Sequence, residues 1–300
     1  MALITTVYDA LVQLLGAPKV STAAEVLAIH ATDKWHASVL PEVVVFAEAT
    51  EDIVGVLQFA NERGIPVTTR GAGVGYVGGC VPGQGGIVLS VSRMNRILEL
   101  NPEDGVAVVQ PGVITGDLQD AARKVGWYYP PDPASLKECS LGGNIATNAG
   151  GPRCLKYGGT RDYVLGLEVV LPDGSIAKLG GRCHKNKTGF DLARFFVGSE
   201  GLLGIVTGAT MKLLPLPPFR ACVGMGFGSM RHAARAIQAI FKAGFLPSAV
   251  EVADAFTLTA ARARTGSKLF DGCKAHLIVE IDGQEKSVRS ELGQLQRLFK

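Results

Sequence analysis

Between Arg70 and Gly79 the sequence reads Arg-Gly-Ala-Gly-Val-Gly-Tyr-Val-Gly-Gly, and an apparent strand, Ile65-Pro66-Val67-Thr68-Thr69, leads into it. Five glycines in ten residues remove side chains and open the φ > 0 region to the backbone. Successive N–H groups can then turn towards one point and form a concavity suited to a phosphate. Arg70 could add charge at its edge. The plainer alternative is a loop whose glycines serve only tight turns.

Gly73-Val74-Gly75-Tyr76-Val77-Gly78 also satisfies the dinucleotide fingerprint G-x-G-x-x-G letter by letter. That fingerprint has meaning only where its last glycine opens a helix whose N-terminus holds a pyrophosphate. Here the chain continues Gly79-Cys80-Val81-Pro82-Gly83-Gln84-Gly85-Gly86, which no helix tolerates. No Lys-Ser or Lys-Thr follows the glycines, so a P-loop is excluded with the Rossmann reading. A phosphate cradle without a following helix remains.

Composition narrows the class. A chain of 300 residues, 47% hydrophobic and 19% charged, has the length and balance of a soluble protein with about two domains. A net charge of +3 is too small for a nucleic-acid or anionic-membrane footprint. The N-terminus lacks a basic region, and Asp9 interrupts its apolar stretch, so no signal peptide is expected. The uncharged stretch from Ala72 to Ser92 is too rich in Gly and Pro to span a bilayer as a helix. Six cysteines (Cys80, Cys139, Cys154, Cys183, Cys222 and Cys273) stand singly, which reads as reduced thiols rather than a metal set or a disulfide framework.

Along the chain, Val7, Tyr8, Leu11, Leu14 and Leu15 recur at helical spacing until Gly16 and Pro18, and Thr22-Ala23-Ala24-Glu25 reads as the capping box of a second short helix. Val43-Val44-Val45-Phe46 is a buried strand, and Thr50 is expected to cap a helix that Gly64 ends. That crossover delivers a parallel strand straight into the glycine loop. Ile97–Leu100 and Val106–Val109 form a hairpin across Asp104-Gly105, and a helix runs from about Thr115 to Val125. The stretch Trp127 to Gly159 has little periodicity, as functional loops often do. It carries Pro130-Pro131-Asp132-Pro133 and the second small-residue cluster, Cys139 to Gly151. Its Asn144 and Asn148 amides can both donate and accept at a heteroaromatic edge. The competing reading of that cluster is a capped short helix, Gly143 to Asn148. A second hairpin, Leu167–Leu171 with Ser175–Leu179, precedes a third glycine-containing cluster, Gly198 to Thr207. Lys187-Thr188-Gly189 and Ser175-x-x-Lys178 mimic acyl-transfer motifs, but that Ser lies in a hairpin rather than at a helix start. Leu213 to Pro218 reads as a domain boundary, followed by alternating strands and helices that stop on a helix without a closing strand. The expected divisions are 1–40 (N-terminal helices), 41–218 and 219–300.

Taken together, Arg70 to Gly79, Pro130 to Gly151 and Gly198 to Thr207 resemble, in order and spacing, the FAD-linked oxidases of the vanillyl-alcohol oxidase type. The likeness is to the group holding the glycolate oxidase flavoprotein subunit and FAD-linked D-lactate dehydrogenases. It runs from about Pro41 to Pro218 and more weakly beyond. It implies an α+β fold: a two-lobed FAD-binding domain followed by an α+β substrate domain, here incomplete. By that resemblance Arg70, Gly71, Gly73, Val74, Gly75, Gly78 and Gly79 would cradle the pyrophosphate. Pro131, Asp132, Gly142, Gly143, Asn144 and Asn148 would line the cofactor between the lobes, and Gly204, Ile205 and Val206 would lie along it.

The implied chemistry is hydride transfer from a D-2-hydroxy acid such as glycolate or D-lactate to FAD. Family members carry a His-x-Gly-Asp-Gly-Asn-type motif further on, which this sequence does not contain. His30, His36, His184, His232 and His276 are isolated and read as structural or exposed, so no catalytic residue and no metal ligand is named. The chain alone is expected to turn over glycolate or D-lactate negligibly. FAD is expected to be held non-covalently: no His lies between Arg70 and Gly79, and Val74 stands at the usual tethering position. Composition leaves Cys80 and Cys139 open as attachment points. Implied partners are the small hydroxy acid and other oxidase subunits, among them an iron–sulfur electron acceptor, in a cytoplasmic setting or peripheral at a membrane through those subunits. Two alternatives stand beside this reading: a non-catalytic flavin-binding subunit or truncated product, and a related flavoenzyme such as an enolpyruvyl nucleotide-sugar reductase.

Overall fold

A computed structural model describes residues 6–268 and 271–299. Residues 1–5, at the head of the expected N-terminal segment, and Lys300 lie outside the described residues. The chain divides into two compact units.

The first unit comprises Met1–Tyr129, Pro133–Ala149 and Gly159–Leu214. The β-branched run Val43–Phe46 is a buried strand as its composition dictates, and Thr50–Arg63 is the crossover helix. Gly64 ends that helix in the left-handed region, at φ 62°, where only glycine is at ease. Its start differs from expectation. Ala49 is the capping residue and Thr50 already lies in the first turn. The free N–H groups of Glu48 and Ala49 are instead satisfied by the Asp52 carboxylate at 2.9 and 3.1 Å, which Lys19 neutralises at 2.8 Å. Thr50 donates its hydroxyl to Glu168 at 3.0 Å. Thr22 is likewise no cap: the helix Ala24–His30 starts from Ala23 without a side-chain acceptor.

Val43–Phe46 and Val67–Arg70 both pair in parallel with Ile87–Ser90, which lies between them. Val20–Ser21 closes the other edge of this four-stranded sheet. Leu11, Val43, Val45, Ile53, Val56, Ile87 and Leu89 form its core, each at most 1% exposed. The second sheet is antiparallel throughout, in the order Ile97–Asn101, Val106–Val109, Ile205–Lys212, Val164–Val170, Ile176–Gly180. Both hairpins read from Asp-Gly turns are present in it.

The second unit comprises Pro130–Asp132, Gly150–Gly158 and Pro215–Lys300. A boundary drawn near Pro218 leaves the first two of those segments elsewhere. Its three strands, Phe219–Phe227, Ala275–Gly283 and Ala249–Asp254, pair antiparallel in that order. Helices Met230–Lys242 and Glu285–Leu298 bury Ala236, Ile240, Val288 and Leu295 against Leu277, Val279 and Ile281. The alternate residues of the central strand, Glu280 and Asp282, face the other way and hold the two early segments. Arg153 bridges Asp132 at 2.7 Å and Glu280 at 2.9 Å. Lys156 and Tyr157 both reach Asp282, at 2.6 and 2.9 Å. Burial pushes the Asp132 carboxyl up, and Arg153 pulls it back only in part.

Candidate functional site

The strand Val67–Arg70 runs directly into the glycine loop. Gly73 and Gly78 adopt φ of 69° and 76°, a conformation that side-chain-bearing residues rarely enter. Three contacts hold the loop from the Thr32–Lys34 segment. Arg70 Nη1 donates to the Thr32 carbonyl at 2.6 Å, Gly78 N–H donates to Asp33 Oδ2 at 2.8 Å, and Lys34 N–H donates to the Gly75 carbonyl at 2.9 Å. A fourth comes from the second cluster, where Ser140 Oγ accepts the Ala72 N–H at 3.2 Å. Among the described residues, no hydrogen bond engages the N–H groups of Gly73, Val74, Gly75, Tyr76 or Val77. A run of free donors on one loop is what an anion nest requires.

The second cluster is less irregular than its sequence suggests. Leu141–Thr147 is a helix capped by Ser140, whose Oγ accepts from Gly143 N–H at 3.4 Å, and Asn148 ends it at φ 49°. A capped short helix is therefore present in that stretch, over Leu141–Thr147 rather than Gly143 to Asn148. Gly142 packs against Pro111, where a Cβ would come within 2.6 Å of the Pro111 side chain, and a Cβ on Gly71 would lie 2.5 Å from Ser140 Oγ. Close approach of bare backbone is what both glycines permit. Gly204, at φ 155°, brings the third cluster in beside Val170.

These three stretches enclose about 1150 Å³ of space, part of it open to solvent. From the glycine loop Gly71, Gly73, Val74, Gly75 and Gly79 line it, with Gly142, Gly143 and Asn144 from the helix and Gly204, Ile205 and Val206 from the strand start. Asn144 is buried and its amide already donates to Thr115 Oγ1 at 2.6 Å, which leaves the carbonyl for a ligand.

Other expected residues are placed differently. Arg70 is buried beneath the loop, bonded to Thr32 and 3.3 Å from Cys80 Sγ, not at the edge of the cradle. It packs so closely under Gly73 that any Cβ there would collide with its guanidinium. Gly78 belongs to the loop, yet its N–H is spent on Asp33 and unavailable to a phosphate. Asn148 uses its Oδ1 to accept the Arg161 N–H at 3.0 Å. Pro131 and Asp132 are in the second unit, where Asp132 pairs with Arg153. Conversely, Asp33 and Ser140 line the cavity and were missed. Ser140 carried a signal, a cap residue just before a helix-compatible run. Asp33 carried none, since its partner lies 45 residues away.

Two thiols border the same space. Burial pushes the Cys80 thiol up, against the opposing pull of Arg70. Cys139 is 4% exposed and donates its S–H to Thr115 Oγ1 at 3.3 Å. A nest for anionic oxygens, a wall of bare backbone and a buried amide carbonyl suit an elongated ligand with phosphates at one end and a flat heteroaromatic ring elsewhere. FAD meets that description, and the residues present fit it.

Residues 41–180 match the FAD binding domain family, and residues 216–300 match the C-terminal domain of FAD linked oxidases. The glycolate oxidase subunit GlcD of Bacillus subtilis is 41% identical over 261 residues, 87% of this chain and 56% of that protein. A D-lactate dehydrogenase of Anaerostipes hadrus is 43% identical over 211 residues, 70% of this chain and 44% of that one. The chain thus spans about half the length of the curated relatives it matches. An alkyldihydroxyacetonephosphate synthase structure matches 98% of the chain, and the chain 59% of it, with a TM-score of 0.86 at 22% identity. At that identity the likeness concerns the fold alone.

Proposed function

The chain belongs to the FAD-linked oxidases, and from that premise we propose that it supplies the cofactor-holding part of an enzyme oxidising a D-2-hydroxy acid such as glycolate or D-lactate. The observation that carries the reading is the free N–H run from Gly73 to Val77, on a loop that lines a cavity shared by all three small-residue clusters. Bound FAD would supply the hydride acceptor.

The chain's own residues do the holding. Backbone donors of the glycine loop would hold the diphosphate with dipoles already oriented, and the Arg70 guanidinium fixed beneath Gly73 would add positive charge from behind the loop. Gly142 and Gly143 of the first turn of Leu141–Thr147 give a side-chain-poor wall, and Ile205 and Val206 an apolar one, against which a ring could lie. Val74 and Ile205 exclude water from that wall. Two histidines have structural partners: His30 Nδ1 is 2.8 Å from the Val26 carbonyl, and His184 Nε2 is 3.2 Å from that of Gly105. Neither is assigned as the base that removes the hydroxyl proton.

The choice of hydroxy acid rests on the names of the relatives, one a glycolate oxidase subunit and one a D-lactate dehydrogenase. The word subunit in the first name also supports further oxidase subunits as partners; that one of them is an iron–sulfur electron acceptor is our proposal. Among the described residues no helix is long and apolar enough to cross a membrane. The proposed setting is the cytoplasm, with any membrane attachment made through those subunits.

The test is a visible spectrum of the full-length protein followed by anaerobic addition of glycolate, D-lactate and L-lactate. Bleaching of the flavin band by a D-2-hydroxy acid or glycolate is expected. A flavin that no hydroxy acid reduces refutes the substrate class, and a preparation that stays colourless after FAD titration refutes the site.

A further inference from the structure

Asp33 is one of two acidic residues, with Glu200, that line a cavity bordered by a run of donors for an anion. A carboxylate so placed opposes a phosphate, so its presence calls for a physical reason. The reason lies in how its two oxygens are used. Oδ2 accepts the Gly78 N–H at 2.8 Å and Oδ1 accepts the Trp35 N–H at 2.6 Å. Both bonds are charge-assisted and strong. On either side of it, the Thr32 carbonyl receives Arg70 Nη1 and the Lys34 N–H donates to the Gly75 carbonyl. Three successive residues therefore grip the loop at its entry, its middle and its far end.

We propose that Asp33 is the positioning residue of the anion nest: by holding the Gly78 N–H it fixes the arc in which Gly73 to Val77 present theirs. This rests on the FAD reading of the cavity. Gly78 sits at φ 76° with nothing within 4 Å of where a Cβ would stand, so no packing contact replaces the Asp33 bond there. Without it, Gly78 is free to rotate and its N–H joins the nest in a different geometry. A glycine-rich loop loses most conformational entropy on ordering, and a tether made before the ligand arrives removes that cost from binding. The carboxylate's repulsion of the diphosphate is the smaller effect, because its charge is already met by two backbone donors at hydrogen-bond distance.

The experiment measures FAD affinity of the full-length protein by flavin fluorescence quenching, with apo-protein melting recorded alongside, for wild type, Asp33→Ala and Asp33→Asn. Asp33→Ala removes the acceptor, and its Kd should rise about tenfold or more while the apo melting temperature moves by no more than about 3 °C. Asp33→Asn removes the charge and keeps one acceptor oxygen; placed on the Gly78 N–H, at the expense of the Trp35 bond, it should return affinity to within about threefold of wild type. An Asp33→Ala protein that binds FAD like wild type overturns the inference. So does an Asp33→Asn protein as weak as Asp33→Ala, which would make the charge and not the tether responsible. Melting that falls in step with affinity in both variants reduces Asp33 to a general structural role. Should Asp33→Ala not fold, Asp33→Ser, whose side chain is one carbon shorter and withdraws the acceptor from the Gly78 N–H, takes its place under the same tenfold criterion. Wild type failing to bind FAD refutes the proposed function, and the inference with it.

Discussion

The Ser140 hydroxyl accepts the N–H of Ala72 at 3.2 Å. One oxygen thereby joins two segments 68 residues apart, and the same oxygen caps the helix Leu141–Thr147 through Gly143. The glycine loop and the second cluster are consequently a single assembly: the cap that starts the helix also sets the distance to the loop.

Ser140→Ala should therefore lower both stability and cofactor affinity. Loss of an N-cap acceptor costs about 1 kcal/mol, and the orphaned Ala72 N–H adds a comparable amount. In a chain of this size that corresponds to a fall of roughly 2–4 °C in Tm, measured by calorimetry of the apo protein. FAD titration should show weaker binding than wild type. Ser140→Thr retains the oxygen and should recover most of both; a variant indistinguishable from Ser140→Ala would show that the oxygen is not the cause.

At Gly75 charge and volume can be separated. A Cβ there would meet only Asp33 Oδ2, at 3.8 Å, and Gly75 is not among the glycines with positive φ. Gly75→Ala should then change FAD affinity by less than about threefold, since no clash and no forbidden φ arises. Gly75→Asp should weaken it by about tenfold or more, because a carboxylate would stand among donors that face phosphate. Equal effects of the two substitutions would argue that no anion sits in the loop.

Much of this was legible in the sequence because it is written in local chemistry. The Val43–Phe46 strand, its crossover helix and the Asp-Gly hairpins follow from β-branched runs and turn residues that need no distant partner. The irregular, side-chain-poor loop after Val67–Arg70 follows from its glycines. Residues whose meaning depends on a remote contact were misplaced. Arg70 is adjacent to the cradle in sequence but turned beneath it by the Thr32 carbonyl. Asp52, rather than Thr50, satisfies the helix start because Lys19 lies beside it. Asp132 reads as a cavity residue until Arg153, itself held by Glu280, is seen to claim it. Cap identity and charge pairing are tertiary facts, and a single chain of letters does not carry them.

Acid should loosen the first unit through His30. Its ring is held below the usual histidine range chiefly by burial, with the Arg70 charge adding to the effect, and it packs edge-on to Phe46 at 5.3 Å. A depressed folded-state pKa means that the unfolded chain binds the proton more readily. The neutral ring's contribution is thus complete above about pH 6.5 and is lost as the pH falls through the folded-state value. Urea unfolding at several pH values between about 5 and 8 should show wild type losing stability on acidification more steeply than His30→Gln. Parallel curves would mean that His30 titrates alike in both states. His276 is depressed by burial in the same direction, so both proteins retain some acid sensitivity.

The flavin should be held without a covalent bond. Two thiols border the cavity, and attachment through sulfur requires a thiolate. Burial holds the Cys80 thiol up, in its protonated form, with Arg70 countering only in part. Its sulfur is in addition 3.3 Å from Arg70 Nη1, so the side chain is turned to the underside of the loop. Cys139 is buried and donates to Thr115 Oγ1, which in turn receives the Asn144 amide. That network fixes the sulfur as a packed, satisfied group, the usual state of a lone buried cysteine. Val74 at the head of the loop offers no nucleophile. Acid precipitation of the yellow protein should leave the colour in the supernatant, and the denatured chain should run without flavin fluorescence on a gel. Fluorescence that migrates with wild type and disappears in Cys80→Ser or Cys139→Ser would identify a tether.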